Sequence, residues 1–110
     1  MQMEAVPGQR AGEFIVRLNG PLTLGNLFDF QKTIRADKSP FLILDLSGVP
    51  YIDSAAIGAL VGAHVSHQKD GHRLALVGVN QRVRDALKIT GVVQFFAIFS
   101  TQQEAETAAS

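Results

Sequence analysis

The most continuous apolar runs of the chain are FLILDL at 41–46 and RLALVGV at 73–79. They lack the alternation of a half-exposed strand, so they predict strands covered on both faces, with parallel neighbours and flanking helices. Between them SAAIGALVGAHVSHQ carries apolar residues at helical spacing, which makes a strand–helix–strand unit, with Asp70-Gly71 ending the helix. Upstream, Glu13–Asn19 alternates instead: Phe14, Val16 and Leu18 share one side, Ile15 and Arg17 the other. That predicts a half-buried strand, the second arm of a hairpin. The first arm is a short edge strand at 2–6, with turn chemistry from Pro7-Gly8 through Gly12. Gly20-Pro21 breaks the second arm. A helix follows from Gly25-Asn26 to about Ala36, with Leu27, Phe30 and Ile34 on its apolar stripe, Phe28 off it, and Lys38-Ser39-Pro40 closing the segment.

Beyond the second run, Asn80 is placed to cap a third helix with Val83, Ala86 and Leu87 at contact spacing, and Gly91 to end it. QFFAIF at 94–99 reads as a last strand, and Ser100 as the cap of a final helix through Ala108. The order predicts an α/β fold: one small domain over 1–110, a mixed but mostly parallel sheet with helices packed on it.

The central helix has an unusual distribution. On a wheel of about 100° per residue, Ile57, Leu60, Val61 and Val65 group together with His64 among them. Ala55, Ala59, Gly62, Ala63 and Ser66 fall opposite, where an ordinary surface helix carries long charged side chains. One reading is a helix buried on both faces. The other is a flat strip against which a partner docks closely. Immediately before it stand Asp53 and Ser54. Either residue type caps a helix well. Alternatively Asp53 caps and Ser54 lies in the first turn with its hydroxyl exposed, beside amides that tolerate a phosphate.

Composition narrows the chemistry. At 110 residues, with 46% hydrophobic and 18% charged residues, the chain is that of a folded domain. Ten basic residues balance ten acidic ones, so no net field favours nucleic acid or an anionic membrane. The absence of cysteine excludes disulfides, thiolate nucleophiles and sulfur-ligated metals. The first residues lack the layout of a signal peptide, and no apolar run is long enough to span a bilayer, so a cytoplasmic domain without membrane insertion is expected.

Other sites fit less well. Asp45 ends its strand as the phosphorylated aspartate of a receiver domain does, but the acidic pair and the lysine that receivers need are missing, so it reads as a polar strand terminus tying down the next loop. His64, His67 and His72 have no carboxylate at ligand spacing, and no metal is expected; His64 reads as a packed histidine. Ser54 lacks a glycine-flanked nucleophile elbow, and no phosphate-binding glycine loop is present. Arg82, Arg84 and Lys88 form a small basic patch on the third helix, a solvated face or one that meets an acidic partner.

LILDLSGVPYIDSAAIGAL, then GHRLALVGVNQRVRDALKITGV and more weakly FAIFSTQQEA resemble the STAS domain of bacterial anti-sigma-factor antagonists. The resemblance runs from Phe41 to about Ala105 and extends loosely through PLTLGNLFDFQ. The family's first segment reads as an apolar strand, Asp-Leu-Ser-Gly-Val, two linking residues and Asp-Ser-Ser-Gly-Leu-Gly. Its Ser after Asp is phosphorylated by the cognate anti-sigma factor, itself a serine kinase. The resemblance thus implies phosphorylation at Ser54, with Asp53 beside it. This chain departs from the pattern at Ala55 and Ala56, where the family has Ser and Gly, and retains Gly58. The Ala56 methyl is expected to stand where a kinase loop passes. The implied partner surface comprises Asp53, Ser54, Ala55, Ala56, Ala59, Gly62, Ala63 and Ser66. The implied partners are an anti-sigma factor kinase and a separate phosphatase, with no nucleic acid bound directly. The chain itself would use no cofactor and catalyse nothing. The family's other uses, a constitutive stressosome-like scaffold or a subunit of a lipid-transport complex, form the alternative.

Overall fold

The computed structural model describes residues 1–36 and 39–108. Its elements run β1 (Gln2–Pro7), β2 (Glu13–Asn19), α1 (Leu27–Ala36), β3 (Phe41–Gly48), α2 (Ser54–Lys69), β4 (Arg73–Val77), α3 (Gln81–Ile89), a 3-10 turn (Val93–Phe95), β5 (Ala97–Phe99) and α4 (Gln102–Ala108). The five strands form one sheet in sequence order; β1 is antiparallel to β2, and every later pair is parallel. This is the mixed, mostly parallel sheet that the unbroken apolar runs require.

Strand alternation divides the core in two. Val16, Leu18, Leu42, Leu44, Leu46, Leu74 and Leu76 face one side, where α1, α2 and α3 cover them through Phe30, Ile34, Leu60, Val83 and Leu87. Ile15, Phe41, Ile43, Ala75 and Val77 face the other, covered by α4 through Ala105. The periodicity of Glu13–Asn19 therefore holds: Val16 and Leu18 lie in the first cluster, Ile15 in the second.

Several boundaries differ from the sequence reading. β4 stops at Val77 because Gly78 turns out of the strand at φ +71°, where a Cβ would lie 2.7 Å from that of Ser47. Of QFFAIF only Ala97–Phe99 pairs as strand; the preceding residues close a 3-10 turn that seats Phe96 in the core. The last helix is capped by Thr101 rather than Ser100, Thr101 Oγ1 accepting from Glu104 N at 3.2 Å. Asn80 caps α3 as expected, its Oδ1 accepting from Val83 N at 2.8 Å. Gly71 and Gly91 leave α2 and α3 at positive φ. Of the segment expected to close α1, Lys38 lies outside the described residues.

Candidate partner-binding site at the start of the central helix

The start of α2 sits at the edge where β2 and β3 release their chains, and Asp53 joins the two loops. Its Oδ1 accepts from Ala56 N at 2.9 Å, capping α2, and its Oδ2 accepts from Leu24 N at 2.9 Å, across the loop that leads into α1. Backbone bonds reinforce the seam: Leu22 N donates to Tyr51 O and Asp53 N to Leu22 O. Asn26 shapes the neighbouring turn, accepting from Thr23 N and donating to Pro21 O. The amides of Leu24 and then Ala56 hold the Asp53 carboxyl below its ordinary value of 3.8. With both oxygens engaged, Asp53 supports the site more than it presents charge to a partner.

Ser54 occupies the first turn of α2 and is exposed. Among the described residues no group hydrogen-bonds its hydroxyl. Asp53, not Ser54, has taken the cap, so the hydroxyl faces solvent.

The remainder of α2 is rotated from the expected orientation. Ala56, Ile57, Leu60, Ala63 and His67 point inward, whereas Val65, expected on the apolar side, is 54% exposed. Ala56 and Ala63 therefore leave the expected partner surface. Ala56 is 0% exposed, so its methyl fills the core and does not stand in the path of an approaching kinase loop. The cause is α1: lying beside α2, it draws the small-residue flank toward itself, and Ala59, Gly62, Ala63 and Ser66 line the groove between the two helices. Ala55 is half-buried at the upper end of that groove, and Gly58 is exposed. Nothing lies within 4 Å of a Cβ built on Gly58 or Gly62. Each glycine costs the helix about 1 kcal/mol relative to alanine, and internal packing supplies no reason for it.

Periodicity did not single out an exposed apolar rim at the end of the molecule where α2 starts. Leu24, whose amide is bound by Asp53, is 73% exposed, and Phe28 in the first turn of α1 is 76% exposed. Tyr51, three residues before Ser54, is exposed under the Arg82 guanidinium, 5.0 Å from its ring centroid. Asn80 Nδ2 ties the start of α3 to Val49 O and Pro50 O, which brings the basic residues of α3 to this end of the molecule. The available sequence signal was the position of Phe28 off its helical stripe.

The remaining candidates resolve structurally. Asp45 Oδ1 accepts from Ser47 N and Oγ at 3.0 and 2.6 Å, and Oδ2 lies 3.6 Å from Arg17 Nε, which is the loop-tying role expected of it. His64 packs against Phe95 and Phe96. His67 is buried as well, carried inward by the rotation of α2. No described helix is long and apolar enough to cross a membrane. Among the described residues no group of three or more acidic or histidine side chains is placed to hold a metal.

This architecture has close counterparts. A protein from Thermotoga maritima assigned as an anti-sigma factor antagonist superposes with a TM-score of 0.89 at 25% identity, over 96% of this chain and 92% of that one. The murine anion transporter Solute Carrier 26 family member A9 matches with a TM-score of 0.82 at 28% identity, over 93% of this chain but 18% of the transporter. In sequence, "Probable sulfate transporter 4.2" of Arabidopsis thaliana is 30% identical over 76% of this chain, which spans 14% of that protein's length. The model of the STAS domain matches residues 2–105. With that extent of match, and with the strand order and helix placement described above, the chain belongs to the STAS domain family.

Proposed function

We propose that this domain is an anti-sigma-factor antagonist, a protein-binding switch whose docking is set by phosphorylation of Ser54. The observation that carries the reading is the exposed, unengaged Ser54 hydroxyl in the first turn of α2, beside an aspartate whose own oxygens are already committed. Unmodified, Ser54 presents a small neutral group at the end of the molecule that also exposes Leu24, Phe28 and Tyr51, a rim suited to an apolar partner surface. A phosphate adds about −1.5 to −2 charges there. The free amides of the helix start accommodate that charge within the domain. The partner, however, would have to desolvate a dianion against apolar contacts, and that cost disfavours the complex. Release thus needs no change of fold. An anti-sigma factor with serine kinase activity is the partner, and a separate phosphatase restores the hydroxyl. Transcription is regulated through competition for the anti-sigma factor in the cytoplasm, and the domain performs no catalysis itself.

The likeness to transporter proteins favours a second reading, a STAS module that uses the same rim constitutively, as a scaffold or as a subunit of a transport complex. Incubation with a kinase encoded beside the gene and ATP, followed by mass-spectrometric location of phosphate, separates the two. Phosphate on Ser54 with weakened binding supports the switch; tight binding without modification supports the scaffold. Ser54→Asp is expected to weaken kinase binding by at least roughly tenfold, and undiminished binding by that variant would overturn the switch.

A further inference from the structure

The small-residue flank of α2 forms one wall of a groove of about 640 Å³ whose other wall is α1. Phe30 and Ile34 of α1 and Ala59 and Ala63 of α2 supply its apolar patches, which alternate with the polar side chains of Gln31, Arg35, Ser66, His67, Asp70 and His72. Its volume lies within the roughly 300–1,000 Å³ of small-molecule sites, and its mixed lining suits an amphiphile rather than a purely apolar ligand. The parallel sheet sets the groove's polarity. α1 and α2 each return from the end of one parallel strand to the start of the next, so they run in the same direction, last turn beside last turns. Arg35, Ser66, His67, Asp70 and His72 therefore gather at one end.

His67 is the independent sign of a ligand. It is 7% exposed, and its Nδ1 lies 2.9 Å from Ala63 O. A carbonyl oxygen only accepts, so Nδ1 carries the hydrogen and Nε2 of the neutral ring is left as an acceptor. Among the described residues nothing hydrogen-bonds Nε2, nor is that atom sealed within the fold; the ring lines the groove beside that of His72, whose centroid is 6.2 Å away. Gly58 and Gly62 widen the same space without any packing need of the domain.

We infer that the α1–α2 groove binds an amphiphilic monocarboxylic acid, its alkyl chain along the small-residue wall and its carboxyl between His67 Nε2 and Arg35. A carboxyl suits both protonation states of the imidazole. As an acid it donates to neutral Nε2; as a carboxylate it accepts from the protonated ring, with Arg35 adding favourable charge. Asp70 at the same end opposes a multiply charged head such as a phosphate. From Ala55 to His67 the helix rises about 18 Å, room for a chain of medium length. This site goes beyond the Ser54 switch and does not depend on it.

The test titrates the full chain with dodecanoate below its micelle concentration, followed by calorimetry and amide chemical shifts. Saturable binding at a single site, with shifts confined to α1 and α2, is expected. Gly62→Leu fills open space and raises helix propensity, so it should keep or raise the Tm while weakening binding by about tenfold or more. His67→Phe should weaken dodecanoate by about tenfold while leaving dodecanol within about twofold. Because His67 is buried, the exposed Arg35→Gln gives a second reading of the head group, with a loss of about threefold or more. Absence of saturable binding, undiminished affinity in Gly62→Leu, or dodecanoate affinity unchanged in both head-group variants overturns the assignment.

Discussion

Asp53 and Ser54 are adjacent but have separate tasks. The carboxylate holds two loops and a helix start, which leaves the hydroxyl without structural duty. Asp53→Ala should therefore lower the urea midpoint, and Asp53→Ser, which can cap α2 but not span to Leu24, should recover part of it. Acid behaviour follows from the same bonds. Because the folded carboxyl titrates below 3.8, its contribution is complete above that pH and disappears as pH falls through the lower folded value. Denaturation midpoints of the parent should thus fall below pH 3.8 more steeply than those of Asp53→Asn, and parallel curves would refute the assignment. Ala56 shows how little a departure from a family pattern says before burial is known. Its methyl points into the core, where it fills volume under Asp53's cap.

At the scale of elements, α2 carries the main difference between sequence and structure. Its wheel correctly groups Ile57 and Leu60, yet Ala56, Ala63 and His67 also turn inward and Val65 turns out. A helix rich in small residues has a weak apolar direction of its own, so its neighbours choose its rotation. Gly62→Ala should stabilise the domain by about 1 kcal/mol, since the added methyl meets open space and improves propensity. Gly78→Ala should do the reverse, costing roughly 1–3 kcal/mol at its positive φ against Ser47. Chemical denaturation of the two variants checks both signs.

The whole molecule is asymmetric about its sheet. Among the described residues three helices cover one face, and the short helix α4, buried through Ala105 and Glu106, covers the other. Arg17 bridges this thinner side, 3.9 Å from Glu4 and 3.6 Å from Asp45 while donating to Gln102 Oε1 at 3.1 Å. Such exposed pairs contribute about 0–1 kcal/mol each. Native-state hydrogen exchange should accordingly find the β3 amides opening only with global unfolding, and α4 and β5 opening locally, faster by about tenfold or more. Equal protection across the sheet would contradict that order.

The sequence by itself determined the class and order of elements, because unbroken apolar runs, alternation and caps are local signals that survive without knowledge of neighbours. It also located Ser54, since strand ends and helix starts are marked by their own residues. Tertiary structure alone decided what those residues face. The rotation of α2, the inward Ala56 and Ala63, the exposed Leu24–Phe28 rim and the groove against α1 arise from elements far apart in the chain. A small side chain carries too little preference for core or solvent to fix its direction before the partner helix is in place.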